Sequence, residues 1–118
     1  MPRPFENPQD ATMRPIFKQF PSLTSHLSTD GFARLPTAVE LHSFNGKQIW
    51  VKRDDLTHSL YGGNKVRKLE FILPEAQRLG ATKVLTFGAT GTHHGLATAV
   101  FCKQLGLECE VLLFDQPV

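Results

Sequence analysis

The sequence predicts an α/β protein, and three consecutive features carry that expectation. Lys83 to Phe87 reads as a strand that runs into a tight turn, Gly88 to Gly91. Thr92 to Leu105 reads as a helix closed by Gly106, and Glu110 to Phe114 as a second strand. Strand, helix and strand within roughly 30 residues make one βαβ unit, so a parallel sheet with a right-handed crossover is expected. Two parallel strands cannot cover both faces of their sheet. The ending at Val118, just after a strand, therefore reads as a truncation.

The preceding elements follow from local signals. Residues 1–34 form an irregular N-terminal arm, because Pro2, Pro4, Pro8, Pro15 and Pro21 forbid a long regular element. Within it Ile16, Phe17, Phe20, Leu23 and Leu27 suggest a short helix or an arm that packs on something. Ala38 to Leu41 and Gln48 to Arg53 read as two short strands joined at Asn45-Gly46, a strong hairpin dipeptide. Asp54 to Asn64 reads as a loop. A helix is expected from about Asn64 to Leu79, ended by Gly80, with a kink or break at Pro74.

Composition narrows the function. Thirteen basic against eleven acidic residues give a net charge of +2, too balanced for a nucleic-acid partner. No apolar run approaches the ~20 residues that span a bilayer, and the first residues lack a signal-peptide core, so no membrane association and a cytoplasmic location are expected. Cys102 and Cys109 form neither a disulfide framework nor a metal pattern.

Lys65 stands out among the basic residues. On the expected helix, Lys65, Leu69, Ile72, Ala76 and Leu79 are spaced four, three, four and three apart, so they share one stripe. Four of the five are apolar, which turns the stripe inward and leaves Arg67, Glu70 and Arg78 to solvent. An amine at the edge of a core loses solvation, its pKa falls, and it becomes a nucleophile for Schiff-base chemistry. Gly62 and Gly63 leave room for a flat ring, and Asn64 suits the helix N-cap. Spacing alone fits better a lysine whose stem packs and whose head reaches water.

The motifs Val51-Lys52-Arg53-Asp54-Asp55-Leu56-Thr57 and Gly62-Gly63-Asn64-Lys65-Val66-Arg67-Lys68-Leu69-Glu70-Phe71 resemble those of the 1-aminocyclopropane-1-carboxylate deaminase and D-cysteine desulfhydrase family. The likeness runs from about Leu35 to Phe114. It implies the N-terminal portion of a two-domain, tryptophan synthase β-like fold: residues 35–80 start the large domain, and 81–118 give the first βαβ unit of the small one. It implies pyridoxal 5'-phosphate as cofactor, held by Lys65 through a Schiff base, with Lys65 then moving protons on the substrate. The reaction implied is α,β-elimination or ring-opening deamination of a small amino acid, D-cysteine or the cyclopropane amino acid, to a 2-oxo acid and ammonia.

The resemblance also places Asn64 and His93 at the cofactor and Thr92, His93 and His94 at the substrate. Thr92 stands for a family serine that meets the substrate carboxylate and counts with Lys65 as catalytic. The loop Gly88 to Gly95 suits a carboxylate physically, since a helix N-terminus offers free N–H groups. His93 departs from the family's asparagine, which bonds the cofactor's ring oxygen; imidazole is bulkier and can carry charge. The family's phosphate cradle and pyridine-nitrogen partner fall after Val118, so the chain reads as incomplete, and a homodimer follows the relatives' habit.

Three other readings compete. Val84 to Gly91 followed by a helix is similar to an NAD(P)-binding Rossmann unit, but the glycines at 88, 91 and 95 miss the usual third position. Glu108 or Glu110 meets the expected acidic residue only loosely. A metal site on His93 and His94 lacks further ligands at workable spacing, with His42 and His58 too isolated to join. An inactive truncated fragment is the third reading.

Overall fold

The computed structural model describes residues 14–27, 29 and 31–117. Pro2, Pro4 and Pro8 lie outside them. The remainder of the arm contains a short helix, α1 (Pro15–Gln19), and a 3-10 helix, Pro21–Ser25. Each starts on a proline, where the missing N–H is no loss. The arm does pack on something. Phe17 is buried, its ring centroid 6.0 Å from that of Phe71.

Strands β1 (Val39–Phe44) and β2 (Lys47–Lys52) form an antiparallel hairpin in register Phe44↔Lys47. Asn45 and Gly46 both have positive φ, 49° and 73°. That double left-handed turn matches the twist of the flanking strands, so the dipeptide fixes the register.

Helix α2 (Lys65–Arg78) runs through Pro74 without ending there. The proline removes one ladder hydrogen bond, but burial of its ring among the packed residues keeps the helix continuous. The expected inward stripe is corrected by about one residue. Val66, Leu69, Glu70, Leu73 and Pro74 are buried, whereas Ile72 and Leu79 are 54% and 71% exposed. Glu70, expected in solvent, is 1% exposed. Its carboxylate accepts from the Arg14 guanidinium at 2.8 Å and from the Ala33 N–H at 3.1 Å, and Arg14 also donates to the Ala33 carbonyl at 2.7 Å. Partners 37 and 56 residues away thus permit a charge on the inner face. Arg67, also expected in water, is half-buried in an ion pair with Asp54.

The βαβ unit is present: β3 (Lys83–Ala89), α3 (His93–Leu105) and β4 (Glu108–Phe114), with β3 and β4 parallel from Lys83↔Glu108 to Ala89↔Phe114. Gly106, at φ 72°, closes α3 in the left-handed conformation that glycine adopts without penalty. Leu85, Phe87, Leu112, Leu113 and Phe114 are all more than half exposed, as an uncovered two-stranded sheet requires.

One core joins the helices. Val66, Leu69 and Leu73 of α2 meet Ala97, Phe101 and Cys102 of α3, together with Ala33 and Leu107. Phe32 stacks on Phe101 at 4.7 Å, and the buried His58 ring meets Phe101 edge-on at 5.0 Å. Cys102 and Cys109 are free thiols; burial, then the neighbouring Cys109, pushes Cys102 up to about 12. Among the described residues no helix is long and apolar enough to cross a membrane.

Candidate active site

The packing of α2 against α3 brings two helix N-termini together, and the site forms between them. Lys65 is the first residue of α2 and is half-buried. The backbone leading to it is held by Thr57, which is fully buried. The Gly63 N–H donates to Thr57 Oγ1 at 2.9 Å and to the Asp54 carbonyl at 2.6 Å. The Thr57 hydroxyl in turn lies 2.9 Å and 2.8 Å from the carbonyls of Asp54 and Gly63. Arg67, in the first turn of α2, grips both Asp54 carboxylate oxygens, at 2.9 and 2.7 Å, and reaches Thr37 Oγ1 at 3.1 Å. The Arg67 hydrogen bond holds the Asp54 carboxyl below the usual range.

The two glycines act differently from the sequence expectation. A Cβ on Gly62 would stand 1.9 Å from the Asp55 carbonyl oxygen, so its missing side chain makes room for the chain's own backbone. Gly63 has open space around it but a φ of +114°, which L side chains rarely adopt. Asn64 does precede the helix, yet its side chain makes no cap hydrogen bond. Its φ and ψ, −69° and −21°, are already helical, whereas a capping side chain needs an extended backbone to reach back over the first turn.

Helix α3 has a side-chain cap. Thr92 is its N-cap, and Thr92 Oγ1 accepts from the Gly95 N–H at 3.2 Å. The hydroxyl keeps its proton free to donate. A Cβ on Gly88 or Gly95 would fall 2.5 or 2.6 Å from the Thr92 side chain. Those glycines, with Gly91 at φ +85°, therefore serve the turn around Thr92.

The two histidines that follow diverge. His93 is exposed, and its Nδ1 lies 2.8 Å from the Tyr61 hydroxyl. His94 is half-buried, with Nε2 3.1 Å from Thr86 Oγ1 and a buried Nδ1 that has no hydrogen-bond partner. Burial, then the charges of Lys68 and Lys65, holds the His94 imidazole below its ordinary pKa. Lys65 and His94 are thus close enough to feel one another, 29 positions apart in sequence.

Of the residues expected at the site, Lys65, Thr92, His93 and His94 gather around the two helix starts, and Asn64 adjoins Lys65 with an exposed side chain. Sequence reasoning missed Tyr61 and Lys68. Tyr61 is the chain's single tyrosine and stands beside the glycine pair, the one signal that marks it. Among the described residues no group of three or more His, Cys, Asp or Glu is placed to hold a metal ion.

The donor set suits an anionic aldehyde. It offers a primary amine, imidazole nitrogens, a free hydroxyl proton, the positive end of α3 and an unpartnered buried nitrogen on His94. Comparison with known proteins agrees. A family model described as pyridoxal-phosphate dependent enzyme matches residues 30–116. D-cysteine desulfhydrase of Salmonella typhimurium is 42% identical over 91 residues, covering 74% of this chain and 27% of the relative. That of Salmonella paratyphi A is 42% identical over 87 residues, or 70% and 26%. A crystal structure of an ACC deaminase homologue superposes with a TM-score of 0.71 at 34% identity, covering 86% of this chain and 31% of that one. The chain thus spans about a quarter of the length of the curated relatives it matches. With three-quarters of its residues inside the family match and the lysine site assembled as described, the chain belongs to the family of pyridoxal-phosphate dependent enzymes.

Proposed function

We propose that this chain carries the cofactor lysine and part of the substrate site of an enzyme that breaks down a small amino acid, D-cysteine or 1-aminocyclopropane-1-carboxylate, to a 2-oxo acid and ammonia. The observation that carries the reading is the placement of Lys65 at the start of α2, facing the electrostatic reach of His94 at the start of α3. When bound, pyridoxal phosphate supplies an electron sink for the carbon bearing the amino group.

The chain's own residues do the rest. Lys65 Nζ would hold the cofactor through its carbonyl carbon, and its amine, once free, can take and return protons at the substrate carbons. Thr92 donates its hydroxyl proton to the substrate carboxylate, which the first-turn N–H groups and the dipole of α3 also attract. His93 and Asn64 would adjoin the cofactor ring. His94, kept neutral near pH 7 by burial and the two lysines, makes a polar substrate contact without adding charge.

Residues 35–80 then begin the large domain and 81–118 the small one, after an arm at 1–34. The phosphate site comes from the part of the relatives' length that this chain does not match. The assembled enzyme is a cytoplasmic homodimer.

Adding pyridoxal phosphate to the purified protein, reducing with borohydride and mapping the labelled peptide tests the reading. Label on Lys65, lost in Lys65→Ala, is expected. Label spread over other lysines, with none at Lys65, would sink it. Pyruvate formed from D-cysteine against 2-oxobutanoate formed from the cyclopropane amino acid then decides the substrate.

A further inference from the structure

Tyr61 and His93 are 32 residues apart, on the loop before α2 and at the start of α3, yet their polar ends meet. The Tyr61 hydroxyl lies 2.8 Å from His93 Nδ1 and 3.4 Å from the His93 carbonyl oxygen. The first distance is a full hydrogen bond and the second is at the geometric limit: the phenol either gives its proton to Nδ1, or takes one from Nδ1–H and gives its own to the carbonyl. A neutral imidazole whose Nδ1 accepts must carry its own proton on Nε2. Nε2 makes no hydrogen bond among the described residues, and the His93 side chain is exposed at the head of α3, beside His94, which senses the Lys65 charge.

We propose that Tyr61 is a positioning residue for His93: it fixes the ring in the Nε2–H tautomer and so presents one neutral N–H donor to an anionic oxygen of the ligand held at Lys65. The shorter contact, 2.8 Å against 3.4 Å, favours the phenol as donor to Nδ1; the identity of the ligand rests on the function proposed above. Tyr61 stands four positions before Lys65, joined to it through Gly62, Gly63 and Asn64. That stretch is tied down by Thr57 and Asp54, so the hydroxyl is delivered from a fixed backbone. A rotating imidazole would offer either a donor or a lone pair, and a lone pair facing an anionic oxygen repels it. The tyrosine removes that ambiguity.

The experiment compares wild type with Tyr61→Phe, both labelled with 15N-histidine, by long-range proton–nitrogen correlation at a pH where the imidazoles are neutral. Wild-type His93 is expected in the Nε2–H pattern, and Tyr61→Phe as a mixture of tautomers while the other four histidines keep their signals. An Nδ1–H pattern in wild type overturns the proposal outright, whether or not the variant folds, and so does an unchanged His93 in a folded Tyr61→Phe. Pyridoxal phosphate titrated into both proteins tests the ligand half. Loss of the ordering effect is expected to weaken binding roughly three- to tenfold, about one hydrogen bond's worth, and equal affinity overturns that half. Wild type taking up no pyridoxal phosphate at Lys65 overturns the assignment of Lys65 and the ligand half with it, whereas the tautomer result stands by itself.

Discussion

Arg67 closes a two-pronged ion pair on Asp54, at 2.7 and 2.9 Å, across the loop that ends at Lys65. Arg67 sits on α2 and Asp54 on the 3-10 helix Asp54–Leu56, so the pair ties the helix carrying Lys65 to the chain that feeds it. The same aspartate contributes its carbonyl to Gly63.

This pairing sets a pH dependence. Asp54 titrates below the ordinary aspartate value in the folded chain because Arg67 bonds its ionised form. A depressed folded pKa means the contribution is present above the unfolded value, about 3.9, and lost as pH falls through the folded one. Wild type should therefore lose stability toward acid more steeply than Asp54→Asn, which is less stable at neutral pH by about 1 kcal/mol after allowance for the solvent around the pair. Thermal melts at pH 7 and pH 3 check both, and parallel curves would remove the ion pair from the account.

Gly62 and Gly63 are expected to fail for different reasons. Alanine at 62 meets the Asp55 carbonyl oxygen at 1.9 Å, and since both partners are backbone, the loop itself must move. Alanine at 63 meets nothing and suffers only its φ of +114°, a strain of about 1–3 kcal/mol. Gly62→Ala should cost more stability and also displace Lys65, lowering pyridoxal phosphate affinity out of proportion to its melt. Equal losses in both measurements would show that the Asp55 approach relaxes freely.

Much of this was readable in the sequence, where the signal was local. Asn45-Gly46 names its turn because both residues tolerate positive φ, and the βαβ order follows from three adjacent patterns closed by Gly106. The inner face of α2 was not readable, because its apolar residues admit two stripes one residue apart. Only Arg14 and Ala33, 56 and 37 residues before Glu70, show that the stripe containing a glutamate is the buried one. Asn64 occupies the N-cap position its type suggests, but its side chain does not cap, because capping is decided by dihedral angles. Tyr61 could not be paired with His93 until α2 and α3 were packed.

The Arg14–Glu70 pair, 5% and 1% exposed, makes the arm's attachment sensitive to charge. Burial raises the Glu70 carboxyl above its ordinary value, against the opposing pull of Arg14. Arg14→Ala leaves a buried carboxylate with only the Ala33 N–H, at a cost of about 3–5 kcal/mol near pH 7. A raised folded pKa contributes stability below the unfolded value and loses it as pH rises through the folded one. Arg14→Ala should thus approach wild type as the pH drops from 7 toward 5, and Glu70→Gln in that background should recover stability at pH 7. Denaturant midpoints across that range are the measurement; a gap independent of pH would assign the loss to packing alone.

Thr92 separates capping from chemistry, because its oxygen serves the Gly95 N–H while its proton remains free. Thr92→Ser keeps both functions and removes the methyl that Gly88 and Gly95 leave room for. It is expected to keep most activity and lose under about 1.5 kcal/mol of stability. Thr92→Ala loses the cap, about 1 kcal/mol, and the donor aimed at the substrate carboxylate. For Thr92→Asn, asparagine being another good cap, stability should return while the donor sits elsewhere. If turnover by the active protein follows stability through the three variants, Thr92 is only a cap. If Thr92→Asn is stable but still loses roughly tenfold or more in kcat/KM, the hydroxyl proton meets the substrate, and the start of α3 is the carboxylate site.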